Sequence, residues 1–156
     1  MANVITPEAI AGIIIGICMA IITVPNILTA IFELTKTNKD MYYVQKKMEI
    51  SAAHSLQLDY ESKCQHLHGH NWHVCVFCKS KTLNANGMVE DFTLIKKRIQ
   101  DKLDHMYLNE ILPFNPTAEN MAKWMCDQIP TAYKVSVQES DGNTAIYVKK
   151  DSDEDK

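Results

Sequence analysis

Apolar and polar positions along this chain fall into three regimes. Residues 9–32, AIAGIIIGICMAIITVPNILTAIF, contain no Asp, Glu, Lys or Arg. Residues 33–47, ELTKTNKDMYYVQKK, are mostly polar and read as a linker running into a first strand. From Met48 onward the pattern is that of a small folded unit. Met48, Ile50, Ala52 and His54 interleave with Glu49, Ser51 and Ala53, the period-two mark of a strand with one buried face. Residues 70–79, HNWHVCVFCK, predict a second strand rich in β-branched and aromatic side chains. Asn86-Gly87 marks a turn. Asp91 is placed to cap a helix whose Phe92, Ile95, Ile99 and Leu103 form one stripe. Thr117 caps another, carrying Met121, Trp124, Met125 and Ile129, with Pro130 past its end. Thr117 and Glu119 are read as helix-start residues. Tyr133, Val135, Val137 and Glu139 alternate again, and Asp141-Gly142-Asn143 turns the chain into a last strand, residues 145–148. The order strand, strand, helix, helix, strand, strand predicts an α+β unit. Its simplest layout is a four-stranded antiparallel sheet with two helices on one face. The run from Lys149, KKDSDEDK, is a charged tail.

The charge-free run has its own reading. As a helix its 24 residues would measure about 36 Å at roughly 1.5 Å per residue, enough to cross a hydrocarbon core of roughly 30 Å. Gly12, Gly16 and Ala20 recur at the small-residue spacing of packed membrane helices. Pro25-Asn26 would kink or end the helix. Lys36, Lys39, Lys46 and Lys47 follow the run and no Lys or Arg precedes it, which would put the C-terminal part in the cytoplasm. A cleaved signal peptide would want a basic start, and Glu8 stands there instead. A helix buried in a soluble fold is the alternative. The segments expected are therefore 1–40 (apolar N-terminal helix and linker), 41–149 (folded domain) and 150–156 (tail).

Composition narrows the function. At 156 residues the chain has room for about one domain. Apolar residues at 46% and charged residues at 22% exclude a wholly disordered chain. A net charge of −3 gives no general attraction for nucleic acid, and no nucleic-acid partner is expected. Five cysteines cannot all pair within one chain, and with six histidines they suggest metal or catalytic chemistry in a reducing compartment.

The histidines carry most of that chemistry. His68-Gly69-His70 sets two imidazoles two residues apart, so in an extended segment both point the same way. The glycine between them is expected to let the chain bend toward one ion. His54 ends the inward face of the first strand, and pairing of the first two strands would bring it alongside. Three neutral imidazoles with a fourth position open is the arrangement of a catalytic zinc site. Cys64 lies four residues before His68 among polar neighbours. A thiol near such an ion loses its proton more readily, and Cys64 could be a ligand, a nucleophile or a general base. Cys75 and Cys78 form a CxxC within a strand, where that spacing points the thiols to opposite faces; both are read as packing residues, and Cys18 and Cys126 as inert. Asp104-His105 closes the first helix, either as a carboxylate orienting an imidazole or as a histidine favoured by the helix dipole. Glu139 sits at the end of an inward strand face. It is either a ligand-binding carboxylate or the point where the strand reaches solvent.

Six segments in order extend this reading: SAAHSL (51–56), CQHLHGHNW (64–72), GMVEDF (87–92), LDHMYLN (103–109), NPTAENMAKW (115–124) and VSVQES (135–140). Together they resemble the 6-pyruvoyltetrahydropterin synthase family. The branch resembled most is the bacterial 6-carboxy-5,6,7,8-tetrahydropterin synthase of queuosine biosynthesis. The resemblance spans about residues 41–149. It implies His54, His68 and His70 as zinc ligands, Cys64 as the catalytic thiol and Asp104 with His105 as its relay partners. It implies Glu139 as the anchor of the pterin ring.

The resemblance further implies the tunnelling fold, in which sheets join side by side in a trimer or hexamer. The implied reaction converts 7,8-dihydroneopterin triphosphate to 6-carboxytetrahydropterin, releasing acetaldehyde and triphosphate. A related branch makes 6-pyruvoyltetrahydropterin with nearly the same residues. Another uses a glutamate just before the HGH motif, where Gln65, His66 and Leu67 stand here. A membrane-tethered zinc-binding module without turnover is the remaining reading. The N-terminal 40 residues depart from the family pattern.

Overall fold

The computed structural model describes residues 40–150. The apolar run 9–32, Cys18 and the tail 151–156 lie outside the described residues, so the membrane-helix expectation does too. Among the described residues no helix is long and apolar enough to cross a membrane.

Four strands form one antiparallel sheet in the order β1-β2-β3-β4: β1 (Tyr42–His54), β2 (His68–Ser80), β3 (Ala132–Ser140) and β4 (Asn143–Val148). The expected sheet is present, but β1 begins at Tyr42 rather than near Met48. The six residues 42–47 were read as linker because the strand's exposed start carries tyrosines and lysines. They are strand because β2 is long enough to pair with them, Tyr42 lying opposite Ser80.

The helical layer is more broken than the sequence pattern predicts. Asp91 caps α1 (Phe92–Arg98) by accepting from the Thr93 N–H at 2.7 Å, as expected. The stripe then breaks at Ile99, and α2 (Gln100–Leu103) carries Leu103 into the core. Phe92, predicted to belong to the stripe, is instead 46% exposed. A further short helix α3 (Leu108–Ile111) and the longer α4 (Ala118–Gln128) follow. Thr117 caps α4, its hydroxyl accepting from the Asn120 N–H.

One core lies between these helices and one face of the sheet. Ile50, Trp72, Val74, Val76, Val135 and Val137 from the strands meet Ile95, Ile99, Leu103, Met121, Met125 and Ile129 from the helical side, all at most 2% exposed. Strand alternation sets which residues face inward, and the odd partners of these positions face away from the helices. Cys78 and Cys126 are buried in this core and Cys75 is half-buried in the strand, with burial pushing all three thiols up. Their expected packing role is the one the structure gives them.

Candidate active site

The inward face of β1 ends in His54, and the sheet register decides what it meets. His54 lies directly opposite His68, and Ala52 opposite His70. The ring centroids of His54 stand 4.5 Å from His68 and 5.3 Å from His70, and those of His68 and His70 are 5.0 Å apart. One nitrogen from each ring lies within 4.8 Å of the others, a group able to hold a metal ion. The bend expected at Gly69 is not needed. Gly69 pairs with Ala53 in regular strand, and a methyl group there would meet the Ala52 carbonyl oxygen at an ordinary 3.5 Å. Alternation alone puts His68 and His70 on the same side.

Hydrogen bonding leaves the rings ready for a cation. The Nδ1 of His54 lies 2.9 Å from the Pro116 carbonyl oxygen, and that of His68 lies 2.8 Å from the His66 carbonyl oxygen. A carbonyl only accepts, so each Nδ1 carries the proton and each Nε2 keeps its lone pair. The Nε2 atoms of His54 and His70 are buried without a hydrogen-bond partner. Burial lowers the pKa of both rings and favours the neutral, ligating form. Trp72 packs edge-on against both, with centroids at 4.9 and 5.2 Å. Unpartnered imidazole nitrogens converging from three sides suit a borderline divalent ion of the zinc type.

Glu139 joins this group from β3. Its Oε1 is 3.5 Å from the His54 Nε2 and 3.8 Å from the His70 Nε2. The carboxylate is thus inward-facing and partnered. It separates two concavities. A cleft of about 860 Å³ is lined by His70, His105, Tyr107 and Asn71 among others, and a second of about 490 Å³ by Leu56, Tyr60, Thr117 and Glu119. Glu139 lines both. Thr117 and Glu119, read from sequence as helix-start residues alone, therefore also border a cavity.

Asp104 and His105 occupy the end of α2. His105 takes φ of +60°, the left-handed conformation common one residue past a helix. Its Nδ1 lies 3.1 Å from the Asp104 Oδ2. The Ser51 N–H donates to Asp104 Oδ1 at 2.8 Å, and this bond, aided by His105, holds the carboxyl below its usual range. Asp104 is thus fixed by the first strand, and the His105 ring is directed to the cleft.

Cys64 is not brought into this cleft by its side chain position. It sits exposed on a 3-10 turn (Lys63–Gln65) that Ser62 caps, and its carbonyl accepts from the Leu56 N–H at 2.8 Å. The segment after His54 therefore ties the Cys64 turn to the histidine cluster.

A trihistidine cradle with a neighbouring carboxylate, at the end of a sheet covered by helices, defines a metal-ready enzyme site. Residues 43–150 match the family described as 6-pyruvoyl tetrahydropterin synthase. A Synechocystis protein named 6-carboxy-5,6,7,8-tetrahydropterin synthase is 33% identical over 69% of this chain and 93% of its own length. A Bacillus subtilis protein of the same name is 28% identical over 68% of this chain and 84% of its own. The solved structure of Caenorhabditis elegans 6-pyruvoyl tetrahydropterin synthase superimposes with a TM-score of 0.59 at 26% identity, covering 71% of this chain and 97% of that one. The chain belongs to the 6-pyruvoyl tetrahydropterin synthase family and is a pterin synthase of that family.

Proposed function

We propose that this chain converts 7,8-dihydroneopterin triphosphate to 6-carboxy-5,6,7,8-tetrahydropterin, releasing acetaldehyde and triphosphate, in queuosine biosynthesis. The observation that carries the reading is the convergence of His54, His68 and His70 within 4.8 Å beside Glu139. Relatives named for the carboxy product favour that branch. Zinc held by the three histidines would supply Lewis acidity toward oxygens of the substrate side chain. The Cys64 thiolate would accept a proton from that side chain, and His105, oriented by ionised Asp104, would move a second one. Glu139 would accept hydrogen bonds from the N–H edge of the pterin ring and fix its position.

The test is direct. Purified full-length chain with zinc and 7,8-dihydroneopterin triphosphate should release acetaldehyde and yield the 6-carboxy product. Formation of 6-pyruvoyltetrahydropterin without acetaldehyde would assign the neighbouring branch. Zinc binding with no turnover would leave a binding module.

Glu139 has a second reading, because its oxygen approaches the very nitrogens that would hold the ion. Under the anchor role, Glu139→Gln should raise KM by about tenfold or more, on the scale of a lost charge-assisted hydrogen bond of about 1.5–3 kcal/mol, with metal content unchanged. Loss of metal on substitution would make Glu139 a ligand instead. Unchanged KM and kcat would remove it from the site.

We further propose that residues 41–149 are the catalytic domain and that the chain works as a trimer or hexamer in the cytoplasm. The open outer strands β1 and β4 support association, since unpaired strand edges favour it. All the proposed site residues follow Met41, so a chain starting there is expected to be oligomeric and fully active. Fractionation of the full-length chain tests residues 9–32: recovery with membranes supports an anchor. A soluble full-length chain, with failure of the shortened one to assemble, makes the segment a buried helix.

A further inference from the structure

We propose that Asn109 and Asn115 are positioning residues for the metal centre, holding His54 by completing the edge of its strand with their side-chain amides. This rests on the metal site proposed above. β1 is an edge strand, and its pairing with β2 ends at the His54–His68 pair. Its outer edge is covered at first by main chain: the Ala53 N–H donates to the Met106 carbonyl at 3.0 Å, and Ala53 bridges Tyr107 in parallel. The covering chain then turns away into α3, and backbone can no longer serve residues 55 and 57.

Two carboxamides take its place. The Ser55 N–H donates to Asn109 Oδ1 at 2.9 Å, and Asn109 Nδ2 donates to the Ser55 carbonyl at 2.8 Å. The Gln57 N–H donates to Asn115 Oδ1 at 3.0 Å, and Asn115 Nδ2 donates to the Gln57 carbonyl at 2.9 Å. Each amide reproduces the paired exchange of N–H and C=O bonds found between opposed residues of an antiparallel ladder. No shorter or purely accepting side chain can do so.

The placement bears on one ligand in particular. His54 stands between Ala53 and Ser55, so its backbone is clamped on both sides. Its ring is held by the carbonyl of Pro116, the residue next to Asn115. Asn115 is itself fixed at the start of α4, its carbonyl accepting from the Thr117 N–H at 2.8 Å and from Asn120 Nδ2 at 3.0 Å. The loop 115–117 thus grips both the ring and the strand that carries it. Leu56, between the two clamped residues, holds the Cys64 carbonyl.

The experiment measures zinc affinity of the full-length chain by competition with a chromophoric chelator, with zinc alone as the probe. Asn109→Ala and Asn115→Ala are each expected to weaken zinc binding by about 10–100-fold, the usual effect of removing an outer partner of a metal ligand. A purely structural role would lower the melting temperature of the metal-free chain and leave the affinity of the folded protein within twofold of the unaltered chain; that result overturns the proposal. Hydrogen exchange of the unaltered, metal-free chain gives a test independent of whether the variants fold. The Ser55 and Gln57 amides should be protected before zinc is added, and exchange at the free-chain rate overturns the proposal. Failure of the unaltered chain to bind zinc would instead refute the underlying metal site.

Discussion

Stripping zinc from the full-length protein with a chelator is expected to abolish turnover while the fold survives, and added zinc should restore activity. The two halves of this expectation have separate physical grounds. Turnover depends on an ion because His54 and His70 bury nitrogens that nothing in the chain satisfies. The fold does not depend on it because the core between sheet and helices is built from apolar contacts elsewhere. Loss of the ion leaves those nitrogens unpartnered, at about 1–3 kcal/mol each. The metal-free protein should therefore melt lower but cooperatively, with its secondary structure retained. Circular dichroism with metal analysis and the acetaldehyde assay checks both. Full activity after verified metal removal sinks the catalytic half, and unfolding on chelation sinks the structural one.

Cys64→Ala is expected to lower kcat by about 10² or more, the common scale for a lost general base, with zinc content unchanged. The substitution is structurally mild. Cys64 is exposed, and its local bonds run through its backbone: its N–H donates to the Ser62 hydroxyl at 3.2 Å and its carbonyl accepts from Leu56. An alanine keeps both. The histidine group is complete without the thiol, so the ion should stay. Zinc loss in the variant would make Cys64 a ligand. Unchanged kcat would remove it from the chemistry.

Much of the fold was legible because it is written at short range. Alternation in residues 48–54 placed His54 on the buried face, and burial along β1 follows that alternation. The caps at Asp91 and Thr117 were readable from single residues followed by apolar periods. The break at Ile99 was not, because Ile95, Ile99 and Leu103 satisfy one helical stripe whether or not the helix is continuous. Residues 42–47 hid because lysines and tyrosines on an exposed strand start look like linker.

The candidate site divides the same way. Residue chemistry and spacing alone determined that His68 and His70 share a face, that three imidazoles were available, and that Cys64, Asp104, His105 and Glu139 were candidates to act with them. Only the tertiary structure decided that His54 opposes His68, because a shift of one residue in strand register would have sent His54 to the other face. It also decided that Glu139 closes on the His54 and His70 nitrogens from a third strand. Asn109 and Asn115 show the limit most clearly. Both lie in motifs the sequence displays, LDHMYLN and NPTAEN, yet their partners Ser55 and Gln57 are 54 and 58 residues away. An amide side chain has no preferred partner along the chain, and its role exists only where folding brings an unpaired strand edge against it.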